Sequence, residues 1–216
     1  LILTFKAVQL YTELRQRSAA ESSKILAKNF IKLTFAGVLI GTFNAYDSWV
    51  AFILALYLFY SLAKRWKRNA EDKFVFTTGI VLGGILGVCC ELWGIYFGYW
   101  EYHDLSLGRS FPYWLPFAWA LAFSFIYQLE KDLFESLKIQ RIQTKILLSL
   151  LVAMIFPTYG EIITINLGVW TYYWPLQFMG VPLLAIFLLM VFHTGVNFLM
   201  VLICKHFGWK NAVFNP

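Results

Sequence analysis

Two carboxylates stand inside apolar runs at matched positions. The segment Glu91-Leu-Trp-Gly-Ile-Tyr-Phe-Gly98-Tyr-Trp100-Glu-Tyr102 recurs without a gap, seventy residues on, as Glu161-Ile-Ile-Thr-Ile-Asn-Leu-Gly168-Val-Trp170-Thr-Tyr172, and the same offset carries Pro112 onto Pro182. An ionisable group within an apolar span is costly, and its default reading is functional. Burial disfavours the charged form of a carboxyl, and a second carboxylate close by adds to that effect. The pair is therefore expected to offer one neutral acid able to donate a proton, beside an ionised partner. The competing use is structural, each carboxyl bonding backbone or tyrosine groups and locking the two copies together.

Further polar and aromatic residues accompany these acids. His193 lies eleven residues beyond Pro182, at nearly the depth of Glu161 if both sit on straight helices, so the two are expected to meet. Glu91, Glu161 and His193 form the expected catalytic set. Asn197 is one turn beyond His193, and Ser124 and Gln128, also four apart, lie on the preceding returning span. Such groups line cavities or glue helices together. Trp100, Tyr102, Trp170, Tyr172 and Trp119 are the rings expected, with Asn197, to bind substrate, their negative faces suited to a developing cation. Interfacial anchoring is the other use of such rings. A straight helix through Trp100 places each acid roughly 13 Å below the aromatic belt. Glu101, opposite Thr171 in the second copy, and His103-Asp104 read as solvated loop.

The elements that must position these residues are membrane helices. In 216 residues, 60% are hydrophobic, 14% are charged and mean hydropathy is +0.64, which excludes an ordinary soluble globule. Apolar stretches at 30–46, 48–63, 74–98, 111–129, 146–168 and 181–204 predict an all-α polytopic protein of six transmembrane helices, with no alternating pattern for a barrel. Residues 1–28 read as an amphipathic cytoplasmic segment, and 29–216 as the transmembrane domain. Within it, repeat units at about 75–130 and 145–204 form helical hairpins related in parallel. The chain begins with Leu rather than Met, so residues upstream are expected, and 1–28 lacks the pattern of a removable signal peptide.

The net charge of +6 is distributed as a membrane protein's, not a nucleic-acid binder's. Basic residues fill alternate connections, and the intervening ones at 44–48, 100–110 and 169–180 hold only Arg109. Both termini are thus expected in the cytoplasm, with the aromatic loops outside, in a bacterial inner membrane. Cys89, Cys90 and Cys204 form no disulfide framework or zinc spacing, so neither a metal nor a cofactor is expected.

An embedded Glu, then Gly98, then Trp100 and Tyr102, then the proline-led Phe111-Pro112-Tyr-Trp-Leu-Pro116-Phe-Ala-Trp119, resembles the carotenoid-biosynthesis membrane protein family, which includes bacterial carotenoid hydratases. The resemblance spans about residues 75–200. It implies a cofactor-independent enzyme that adds water across the terminal double bond of a linear carotene, a hydratase-like lyase. The matching positions are Glu91, Gly98, Tyr102, Pro112 and Trp119, with Glu161, Gly168, Tyr172 and Pro182 as the second set. The residues by themselves also allow a lipid or small-solute binding or transport protein, or an accessory membrane subunit without chemistry. A hydrophobic small molecule or lipid is the expected partner in the first two cases.

Overall fold

The computed structural model describes residues 2–214 and is all-α apart from two short ribbons. Six helices alternate in direction: α1 (Ile2–Thr42), α2 (Asp47–Lys67), α3 (Lys73–Tyr96), α4 (Leu115–Ser136), α5 (Ile142–Asn166) and α6 (Leu183–Phe207). Four short strands, β1 (Trp100–Tyr102), β2 (Trp170–Tyr172), β3 (Gln177–Phe178) and β4 (Val181–Pro182), lie at one end of the bundle. This ribbon end is opposed by an end rich in lysine and arginine. The protein is a polytopic membrane protein. Five helices are long and apolar enough to cross a bilayer. They turn large apolar side chains outward, among them Phe35, Phe59, Val81 and Phe198. A water-facing surface would not carry so many.

The remaining helix, α4, carries the charged run Glu130-Lys131-Asp132 and is not among those five, for a reason visible in its neighbours. It packs against α1, α2, α3 and α5, so its charged and amide groups find protein partners instead of lipid. It also departs from the expected span at 111–129, starting at Leu115 and continuing through Glu130-Lys131-Asp132 to Ser136. That charged triplet reads as a connection in sequence, yet it is helical. Nor does the boundary expected near residue 28 break the chain, since α1 runs on to Thr42.

Helices α3, α4, α5 and α6 close a ring. Each packs on the next, and α6 returns to α3, so α3 faces α5 and α4 faces α6 across the bundle. The tightest seam is α3 on α4, built by glycines one turn apart. A Cβ at Gly79 would lie 1.9 Å from Phe123 Cζ, and one at Gly87 would lie 2.2 Å from Trp119 Cδ2. Small residues at this spacing let large rings lie directly on the helix backbone.

Polar clasps tie the ring's two ends. At the ribbon end Asp47 takes both Arg109 Nη1 (2.6 Å) and Nη2 (3.1 Å) and the Tyr113 backbone N–H, while the guanidinium covers the Tyr113 ring. Arg109, the one basic residue of those connections, is thus committed to helix α2. At the other end Asp72 Oδ2 accepts from Arg65, Tyr127 and Lys131, and Arg65 also donates to Gln128. Beyond α6, the side-chain Oδ1 of Asn211 accepts the N–H groups of Val213 and Phe214, and buried Phe214 stacks on Tyr127.

Candidate functional site

Helix α3 ends at Tyr96, and Gly98, at φ +67°, turns the chain back. Gly168 does the same after α5, at φ +79°. Left-handed backbone at these points suits glycine, which has no Cβ to clash. The returning segments pair as an antiparallel ribbon in which Trp100 faces Tyr172, Glu101 faces Thr171 and Tyr102 faces Trp170. Residues seventy apart meet at its centre, and the ring types cross over on either side. The ribbon therefore has a local twofold axis.

This reversal corrects the expected depth of the acids. A straight helix would keep Trp100 and Tyr102 far above Glu91, but the turn at Gly98 folds their side chains down onto it. Tyr102 Oη donates to Glu91 Oε2 at 3.0 Å, and Tyr172 Oη donates to Glu161 Oε2 at 3.2 Å. The same tyrosine–carboxyl bond thus occurs in both recurring segments. The Trp100 and Tyr172 rings, each bonded to one of the two carboxyls, meet edge to face at 5.5 Å.

The two segments differ in what else holds the acid. Glu91 also accepts from Trp100 Nε1 on Oε2 (2.9 Å) and from Trp119 Nε1 on Oε1 (3.0 Å). An indole N–H can only donate, so three donors fix both oxygens of Glu91. Two glycines make room for them: Gly87 lies under Trp119, and Gly94 lies so close to Trp100 that a Cβ would fall 1.8 Å from Cη2. Seventy residues on, Pro157 stands for Gly87, Thr164 for Gly94 and Leu189 for Trp119. Thr164 carries the very Cβ that Gly94 lacks, so Trp170 cannot lie against its helix as Trp100 does. It packs instead among Val50, Leu54 and Tyr102, 5.6 Å from the Tyr102 ring. Among the described residues the Glu161 carboxyl has one hydrogen-bond partner, Tyr172. Glu91 is held rigidly. Glu161 is the freer acid.

Of the residues singled out in the sequence, Glu91, Glu161, Trp100, Tyr102, Trp119, Trp170 and Tyr172 come together. His193 and Asn197 do not join them. His193 Nε2 lies 2.7 Å from Glu130 Oε1, and the Asn197 amide lies 3.0 Å from the same nitrogen. The expected meeting with Glu161 fails because α4 places a carboxyl opposite α6 that sequence reading assigned to a connection. Ser124 bonds its own helix at Leu121 O, and Gln128 bonds Arg65 and Asp132, so neither lines the site. At the rim His103 and Thr171 side chains bond at 2.8 Å, and Tyr173 donates to Glu101, so these loop residues fasten the ribbon.

Among the described residues no cluster of His, Cys, Asp and Glu is arranged to hold a metal ion. Comparisons with protein-family models, with curated proteins and with solved structures found no match.

Proposed function

We propose that this chain is an intramembrane acid catalyst acting on an isoprenoid alkene, with Glu161 as proton donor and Glu91 as a fixed carboxyl that positions the aromatic wall. The supporting observation is the asymmetry of two matched acids, one held by three donors and one by a single tyrosine. A proton donor must release and regain its proton, which a carboxyl with uncommitted lone pairs does at least cost.

The chemistry balances without a cofactor. The Glu161 O–H bond breaks as the alkene π electrons take the proton, forming a C–H bond and leaving a tertiary carbocation. Tyr172 steadies the carboxylate left behind, and the faces of Trp100 and Tyr172 stabilise the cation. A water molecule adds to the cation and returns a proton to Glu161, giving a tertiary alcohol. With water excluded, loss of a proton to Glu161 would give an isomerised or cyclised product instead. The resemblance to carotenoid hydratases points to a linear carotene as substrate and to an orientation with the ribbon end outside a bacterial inner membrane. We take the sequence recurrence and the twofold ribbon as two duplicated hairpins.

Expression in cells that accumulate a linear carotene, followed by analysis of extracted pigments, tests this reading. A hydrated or cyclised carotenoid is expected, lost in Glu161→Gln and reduced in Glu91→Gln. An unchanged pigment profile in the presence of folded wild-type protein would refute it. Uptake of a solute into sealed vesicles would instead favour transport through the bundle axis.

A further inference from the structure

Glu130 is fully buried, and only one of its oxygens has a partner. Oε1 faces His193 Nε2 at 2.7 Å, while Oε2 lies in the interior with none among the described residues. An ionised carboxylate with a bare oxygen in such surroundings is costly. The cost falls if that oxygen bears a proton or meets a small hydrogen-bond donor.

The partner on the other side is suited to a mobile proton. One hydrogen fits between Nε2 and Oε1, and either group can carry it. The Asn197 amide, against the same nitrogen, presents an N–H in one orientation and its carbonyl in the other, so it accommodates both arrangements. Among the described residues nothing else of opposite charge competes for the pair. On the surrounding elements Arg65, Lys131 and Tyr127 are committed to Asp72, Lys145 donates to the Ala212 carbonyl, Glu161 takes Tyr172, Tyr159 bonds Thr34, and Lys32 lies near Lys28 and Asp132.

This pair is separate from the one at the ribbon. Glu130 is eleven residues beyond Trp119 on α4, roughly 16 Å along the axis. Between the levels Trp119 packs on Phe192 at 5.1 Å.

We propose that Glu130, His193 and Asn197 form a second acid–base site that binds one exchangeable proton. The free oxygen takes that proton or a water molecule that delivers it. This inference stands apart from the isoprenoid reading, because it requires no substrate.

The full chain in lipid nanodiscs, followed by infrared difference spectroscopy across a pH step, tests it in the carboxylic-acid C=O region. The wild type is expected to show a buried carboxyl that titrates, persisting in Glu91→Gln and Glu161→Gln and lost in Glu130→Gln. His193→Gln, which leaves the carboxyl in place but changes its 2.7 Å partner, should shift the frequency of its C=O band. Loss of every titrating carboxyl band when Glu91 and Glu161 are replaced would overturn the proposal, whether or not Glu130→Gln folds. So would survival in Glu130→Gln of the band that persists without Glu91 and Glu161, or a band frequency unmoved by His193→Gln.

Discussion

Gly94 decides how Glu91 differs from Glu161. Its missing Cβ admits the Trp100 indole, and the threonine at the matched position denies Trp170 the same place. Gly94→Ala should therefore eject the indole, at an overpacking cost of about 1–3 kcal/mol. Losing its bond to Glu91 leaves a buried donor unpaired and adds to that cost. The expected outcome in detergent is a melting temperature several degrees lower and a red shift in tryptophan emission, while Thr164→Ala should change both far less. Equal effects at the two positions would mean that the indole is not seated by the glycine. Both matched acids and their tyrosines were legible in the sequence, because an unbroken recurrence of Glu, Gly, Trp and Tyr survives without any coordinates. Their unequal surroundings required comparison of residues that do not match, which the recurrence itself draws the eye away from.

At the scale of elements, the β1–β2 ribbon joins the α3–α4 half to the α5–α6 half. Directly opposed residues of an antiparallel pair have Cα atoms about 4.5–5.5 Å apart, within the span of a disulfide. With Cys89, Cys90 and Cys204 replaced by Ala, the double variant Glu101→Cys, Thr171→Cys should oxidise to an intramolecular disulfide, detected by peptide mass after proteolysis. The double variant Tyr99→Cys, Thr171→Cys, which pairs positions that do not face each other, should cross-link less efficiently. The reverse ranking would mean that the ribbon pairs in a different register. Helix existence and direction were readable from apolar length and from the alternation of basic connections. The ribbon was not, since three-residue strands leave no periodicity, and a glycine reversal is indistinguishable from a helix that simply continues. Glu130 escaped notice for a related reason: its neighbours Lys131 and Asp132 mark an aqueous connection by composition, and only the packing of α4 against four helices makes that stretch interior.

Across the whole molecule, Asp72, in the connection between α2 and α3, ties α2 to α4. Burial pushes this carboxyl up, but the Arg65 and Lys131 charges, with hydrogen bonds from Lys131 and Tyr127, hold it below its ordinary value. Its ionised form is thus stabilised in the folded state. The contribution is complete above about pH 3.9, the ordinary aspartate value, and disappears as pH falls through the lower folded value. Thermal stability should accordingly decline on acidification below about pH 4, with Asp72→Asn less steeply dependent on pH in that window. At neutral pH the same substitution should cost about 1–3 kcal/mol, between the values for exposed and for enclosed ion pairs, since Arg65 and Lys131 retain some solvent. An acid limb unchanged by Asp72→Asn would assign the decline to other carboxyls.

The three donors that hold Glu91 also set a schedule for biogenesis. Trp100 and Tyr102 are made nine and eleven residues after the glutamate, but Trp119 follows twenty-eight residues after it, on the next helix. A translocon releasing α3 alone would deliver to lipid a carboxyl lacking its α4 partner, at a cost that lateral partitioning does not tolerate readily. The α3–α4 hairpin should therefore leave the translocon as a pair. In a glycosylation-mapping assay, α3 by itself should integrate poorly, Glu91→Leu should restore integration, and appending α4 should rescue the native segment, with Trp119→Phe weakening that rescue.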